Sequence, residues 1–220
     1  NPQDPYLGVN GTFTAEAADG RSVIEATGLP LVAAPAQPFG LKMTVAAKDG
    51  ALVFRDITGK LAARTFSGLV DITSVGRLQV DIETEWLDVR EALAMVFMPW
   101  EGPVSESSQS FVDVAATLWT GDVFIRPQRF ETATAAPQTE AVVGLGFEKE
   151  ERRLSISAPG ELGLKADVAL KPQGESFVLS GTARWIVDLS DHLKTTDGGN
   201  LATGQLVVDG AFDASGRSPA

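Results

Sequence analysis

The sequence predicts a mainly β protein: an elongated, curved antiparallel sheet forming a taco-like groove, with one or two short helices. Three observations predict it. Apolar and polar residues alternate with a period of two in run after run. Turn signals fall between those runs. Only one stretch has clear helical spacing. A closed β-sandwich is the alternative, because two packed sheets leave the same period.

The alternating runs come in order along the chain. Phe13, Ala15 and Ala17 alternate with Thr12, Thr14 and Glu16. Leu41, Met43, Val45 and Ala47 alternate with Lys42, Thr44 and Lys48. Leu78, Val80, Ile82 and Trp86 alternate with Gln79, Asp81, Glu83 and Glu85. Leu162, Leu164, Ala166, Val168 and Leu170 alternate with Lys165, Asp167 and Lys171, and Leu206, Val208 and Phe212 with Asp209 and Asp213. Successive side chains of a strand point to opposite faces, so each run has one dry and one wet face. Turns are expected at Asp19-Gly20, Asp49-Gly50, Thr58-Gly59, Ser74-Val75-Gly76, Pro159-Gly160, Pro172-Gln173-Gly174 and Asp197 to Asn200. Asp-Gly suits a two-residue hairpin because both residues tolerate positive φ. Such short spacing favours a meander over βαβ crossovers.

The helical stretch is Leu87 to Met98, where Val89, Leu93, Val96 and Phe97 recur at one-face spacing. Asp88 stands at its start, where a carboxylate complements the helix dipole. Pro99 ends it by disfavouring the α conformation just before it. A second helical turn is expected over Asp188 to Leu193, and Ser110 to Trp119 suits either helix or strand.

Two halves resemble one another. Leu41-Lys42-Met43-Thr44-Val45-Ala46-Ala47-Lys48 parallels Leu164-Lys165-Ala166-Asp167-Val168-Ala169-Leu170-Lys171. Trp86-Leu87-Asp88-Val89 parallels Trp185-Ile186-Val187-Asp188. A first β repeat over 1–103, ending in the helix, and a second over 104–220 are expected to share one continuous sheet. The polar, Gly- and Pro-containing stretch Gly102 to Gln109 connects them.

Composition narrows the function. The chain has 220 residues, a formal net charge of −11, 44% hydrophobic residues and no cysteine. Such acidity repels phosphate backbones, so nucleic-acid binding is not expected. Without cysteine there is no disulfide, thiol nucleophile or Cys-ligated metal, and a thiol-free chain suits an oxidising compartment such as a periplasm. No run reaches the roughly 18–20 apolar residues that span a bilayer. The opening Asn-Pro-Gln-Asp-Pro is not a signal peptide and is not preceded by Met, so a piece of a longer protein is expected.

The search for chemistry gives no enzyme. The lone histidine, His192, lies beside Asp191 and Ser190 on one short turn, and adjacent positions cannot converge as a triad does. Asp197-Gly198-Gly199-Asn200 offers too few oxygens for calcium and suits a plain turn. Asp81, Glu83 and Glu85 are spaced as a glycosidase pair requires, but they oppose the Leu78-Val80-Ile82 face and so stand in water. No catalytic residue, metal or cofactor is expected. Trp86 and Trp185 occupy like places in the two halves, as sheet-edge plugs or as contacts for an amphipathic ligand.

At this point the motifs resemble a known family. The ending Gly204-Gln205-Leu206-Val207-Val208-Asp209-Gly210-Ala211-Phe212-Asp213-Ala214-Ser215-Gly216-Arg217-Ser218-Pro219 is similar to a phrase of AsmA-like bacterial envelope proteins. Lys42 to Phe54 with Gly59 to Gly68 is similar to their recurring hairpin, and Trp86-Leu87-Asp88-Val89-Arg90-Glu91-Ala92-Leu93 to their helix start. The resemblance spans most of the chain and is weakest over Pro103 to Phe130.

It implies a periplasmic segment of an inner-membrane-anchored protein that binds or conducts phospholipid, or another acyl lipid, along an apolar β groove between the two membranes. Val45, Leu78, Val80, Ile82, Trp86, Leu164, Val168 and Leu206 would line that groove. A structural or interaction module of the envelope with a closed core is the alternative. The question the sequence poses is whether its dry face is open or sealed.

Overall fold

The computed structural model describes residues 9–20, 38–48, 50–97, 120–132, 137–160, 163–173, 176–188 and 205–216. They form eleven strands and one helix. In chain order these are β1 (Asn10–Ala17), β2 (Phe39–Lys48), β3 (Ala51–Leu61), β4 (Arg64–Ile72), β5 (Arg77–Asp88), α1 (Val89–Phe97), β6 (Thr120–Glu131), β7 (Val142–Glu148), β8 (Glu151–Ala158), β9 (Leu164–Gln173), β10 (Ser176–Asp188) and β11 (Gln205–Gly216).

All eleven strands lie in one open sheet, in the same order as in the chain. It is an open sheet and not a sandwich. Strands from both halves of the chain share it. Nine neighbouring pairs are antiparallel, and β5–β6 is parallel. The simple meander expected from turn spacing is therefore broken once. A parallel pair needs a crossover connection, and α1 begins it.

The expected Thr58-Gly59 turn lies inside β3 instead. Gly59 pairs with Phe66, and a Cβ on it would sit 2.3 Å from the Phe66 ring, so the ring fills the place of the missing side chain. The chain reverses two residues later, between Leu61 and Arg64, with Ala62 at φ 55°. Ser74-Val75-Gly76 does form a turn. Gly76 adopts φ 77°, its N–H donates to the Thr73 carbonyl at 2.8 Å, and the Thr73 hydroxyl accepts from the Arg77 N–H at 3.1 Å. Only glycine takes that φ at no steric cost.

At two more of the described glycines a phenylalanine ring from the paired strand fills the same place. Phe212 pairs with Gly181 and Phe124 with Gly144, each ring lying over its glycine. Cross-strand aromatic contacts of this kind recover packing that a strand glycine gives up.

α1 starts with a reciprocal cap. The Asp88 carboxylate accepts from the Arg90 N–H at 2.6 Å, and the Glu91 carboxylate accepts from the Asp88 N–H at 3.3 Å. Two otherwise orphaned donors are satisfied, as in a capping box. Its buried stripe is Ala92 and Val96, with Val89 and Met95 against the core, while Leu93 faces solvent. Of the expected Val89, Leu93, Val96 and Phe97, Val89 and Val96 thus face the core, while Ala92 is buried in place of Leu93. α1 packs on β5 and β8, lying across the middle of the sheet.

The second helical turn, His192, the Asp197–Asn200 turn and Ser110 to Trp119 fall outside the described residues. Asp188 itself closes β10.

Candidate functional site

The strand registers trace a single apolar face across the whole sheet. From Val80 the row runs through Val70, Phe54, Val45 and Gly11 in one direction. In the other it runs through Val123, Leu145, Leu154, Val168, Gly181 and Phe212. Neighbouring rows add Phe13, Leu41, Phe66, Ile72, Leu78, Ile82, Ile125, Leu164, Trp185 and Leu206. Paired residues of adjacent strands share a face, so these side chains all stand on one side.

Seven expected groove residues lie on that face: Val45, Leu78, Val80, Ile82, Leu164, Val168 and Leu206. By register Trp86 stands on the same side, two residues beyond Thr84 and opposite Arg64 of β4, but it is only half-buried. Burial on β5 passes from Thr84 to Leu87, stepping over Trp86, and β6 steps in the same way from Pro127 to Phe130. The Trp86 ring instead carries the Arg64 guanidinium 3.5 Å from its centroid, and Arg64 donates to Glu91 at 2.9 Å. Trp86 thus ties the start of α1 to β4. Its counterpart Trp185 is half-buried on the apolar face, opposite Val208.

Cover divides this face into regions. In the centre, β5 to β8 and α1 bury Leu78, Val80, Val96, Val123, Val143, Leu145, Phe147, Leu154 and Ile156, and Phe130 is fully buried. At the flanks the same face stays half-open. Phe13 on β1 is 48% exposed, Leu206 on β11 is 48% exposed and Phe212 is 41% exposed. Among the described flank strands, only Ile57 on β3 and Leu170 on β9 are buried apolar residues.

One charge lies in the covered region. Arg152 on β8 is 2% exposed, between Phe147 and Leu170 in register, with its guanidinium 5.0 Å from the Phe147 ring centroid. A planar, weakly hydrated guanidinium over an aromatic face loses less on burial than an ammonium would.

The opposite face is polar and cross-linked by ion pairs. Arg77 bridges Asp122 at 2.7 Å and Glu148 at 2.8 Å, joining β5, β6 and β7. Hydrogen bonds to Asp122 and then Glu148 raise the Arg77 pKa further. Glu151 accepts from Arg153 and, at 3.0 Å, from Lys171. Burial pushes the Glu151 carboxyl up, but the two cations outweigh it and hold it below its ordinary value. Two open depressions lie on this face. One, of about 520 Å³, is bordered by Glu16, Lys42, Lys60 and Glu85; the other, of about 570 Å³, follows Gly144 and Gly146 between Phe124 and Arg153.

Asp81, Glu83 and Glu85 stand on this polar face, as expected. Asp81 pairs with Arg126, and Glu85 accepts from the Thr65 hydroxyl at 2.7 Å. These contacts are ordinary for a solvated strand face. Among the described residues, no group of three acidic or histidine side chains could hold a metal ion, and no helix is long and apolar enough to cross a membrane.

Sequence periodicity located the apolar face but missed its cover and its charge. The Phe–Gly pairs had a signal only in hindsight: each glycine and phenylalanine is visible, but their register is not. No family model, no curated protein and no solved structure matches the chain.

Proposed function

We propose that the chain binds acyl lipid along its apolar face, as a periplasmic segment of an AsmA-like, inner-membrane-anchored protein that carries phospholipid between membranes. The observation that carries this reading is one apolar face running through eleven strands and left half-open at both flanks. An acyl chain needs apolar contact and no directional partner. Roughly 14 buried methylenes gain about 11 kcal/mol at about 0.8 each, before the cost of ordering the chain and losing its freedom. The two flanks supply such contact, with Phe13 and Val45 at the β1 side and Trp185, Phe212 and Leu206 at the β11 side.

Purified protein, extracted and analysed by mass spectrometry, is expected to carry phospholipid. Brominated acyl lipid is expected to quench Trp185 in a variant that keeps only that tryptophan. Lipid-free protein whose Trp185 emission ignores brominated lipid would sink the reading. The covered centre, with Phe130 fully buried, favours the second reading, a structural or interaction module of the envelope. That module would show neither signal.

A further inference from the structure

We propose that the trough on the polar face, between Phe124 and Arg153, binds a neutral glycan, with one pyranose ring stacked on Phe124. This inference concerns the face opposite the apolar one and stands whatever the apolar face binds.

An aromatic ring on the wet side is the first argument. In register, Phe124 belongs to the row Asp81, Phe124, Gly144, Ser155, Asp167 and Thr182. Its five companions are charged, hydroxylic or glycine, yet its ring stands 41% exposed among them. The core side of β6 is already supplied by Val123 and Ile125, both buried. An aromatic face carries the negative part of the ring quadrupole and attracts C–H edges. A pyranose ring presents such an edge on its less polar side.

The shape of the trough is the second. Its floor is β7, where Gly144 and Gly146 stand in place of two wet-face side chains. β7 keeps continuous register with β8, and neither glycine has a positive φ. No turn or bulge therefore requires them, and strand glycines of that kind mark a close approach. A Cβ on Gly144 would meet the Ser155 hydroxyl at 2.5 Å and the Phe124 ring at 3.5 Å. Without these side chains a depression of about 570 Å³ runs from Phe124 to Ser180 and Thr182. From β6 to β10 it crosses four strand spacings, about 19 Å, the length of a short oligosaccharide.

The polar groups select the ligand. Arg77 engages Asp122 through Oδ2, while Oδ1 lies 3.8 Å from the place of a Gly146 Cβ. Across that glycine, Glu151 takes the Arg153 Nε–H, leaving the Nη groups to donate elsewhere. Each ion pair thus holds one trough-lining group in place before a ligand arrives, which lowers the cost of ordering it. An acceptor on one side and a donor fork on the other are satisfied together by hydroxyls, which do both. Asp167, between Ser155 and Thr182 in register, extends the same mixture. An anion here would be opposed by Asp122 and Asp167, and a cation by Arg153 and Lys171. A neutral polyol meets neither opposition. The trough is shallow, so its affinity is weak, with a dissociation constant on the order of a millimolar.

Saturation-transfer NMR on the full chain tests this with cellotetraose, chitotetraose and maltotetraose. At least one is expected to receive transfer at millimolar concentration, strongest at its ring C–H protons. Phe124→Leu keeps an apolar side chain beside Gly144 but removes the aromatic face, and should weaken binding about tenfold. Phe124→Trp keeps that face and should bind at least as well as the parent. Gly146→Val fills the trough and should abolish transfer; if it fails to fold, the two Phe124 variants decide alone. Val75→Ser, at the exposed turn between β4 and β5, should leave binding unchanged. No transfer to any of the three sugars, equal affinity of parent and Phe124→Leu, or tighter binding of an oligogalacturonate of the same length would each overturn the proposal.

Discussion

β7 and β11 are built on the same rule, one residue in two apolar, yet they end in different surroundings. On β7, Val143 is fully buried and Leu145 and Phe147 nearly so. On β11, Leu206 and Phe212 are 48% and 41% exposed. The difference is not in the alternation. It lies in what covers the face: among the described residues α1 lies over β5 and β8, and no helix packs on the flank strands. Period two therefore reports which side of a strand is dry, while the amount of dryness is set by a neighbour that the strand does not encode.

The sharpest way to break this comparison is to cut equal side chains from the two regions. Phe130→Ala, in the covered centre, is expected to cost about 3–5 kcal/mol, because it removes transfer energy and leaves a cavity. Phe13→Ala, on the open flank, should cost under about 1 kcal/mol, since a half-exposed side chain has less to lose. Urea unfolding monitored by circular dichroism measures both. Equal costs would mean that the flank is covered as fully as the centre. On the proposed lipid-binding reading, flank variants should instead show their main effect on lipid retention.

A smaller effect is expected from loosening the cover itself. Asp88→Ala removes the carboxylate that accepts the Arg90 N–H at 2.6 Å. Lost N-caps cost roughly 1 kcal/mol. If α1 is what distinguishes centre from flank, this variant should also bind more of a hydrophobic dye before unfolding. A variant that is destabilised with unchanged dye binding would show that the centre is held closed by strand packing alone. Arg64→Ala should act in the same direction and less, because its pair with Glu91 remains partly exposed, at 16% and 23%.

Much of the architecture was legible in the residues, for physical reasons that can be named. Alternation survives whatever the partner strands are, so the sheet and the sidedness of Val45, Leu78, Val80, Ile82, Leu164, Val168 and Leu206 followed from spacing. Asp88 before an apolar-periodic stretch marked the start of α1. Long-range facts were hidden. The parallel β5–β6 pair depends on where the chain returns after α1, which no local spacing records. Thr58-Gly59 looked like a turn because glycine's other use, making room for Phe66 across the strand, depends on register. Trp86 fitted the alternation, while its partner Arg64, opposite it on β4, is a neighbour that only folding creates.

The smallest expected effect lies at the border between centre and flank. Glu151 on β8 accepts from Arg153 on its own strand and from Lys171 on β9, clipping a covered strand to an open one. Its carboxyl is held below the ordinary value of 4.5 in the folded chain. The unfolded chain thus binds the proton more readily, so folding gains stability above about pH 4.5 and loses it as pH falls through the lower folded value. Glu151→Gln removes that gain and is expected to cost about 0.5 kcal/mol at pH 7, the scale of a solvent-screened ion pair. The cost should shrink as pH falls through that lower folded value and the parent carboxyl is neutralised, and should fall with added salt. Urea midpoints of parent and variant across that range decide it. A cost that stays constant with pH would assign Glu151 a packing role, and the β8–β9 border would then be held by Leu154, Val168 and Leu170 without help from charge.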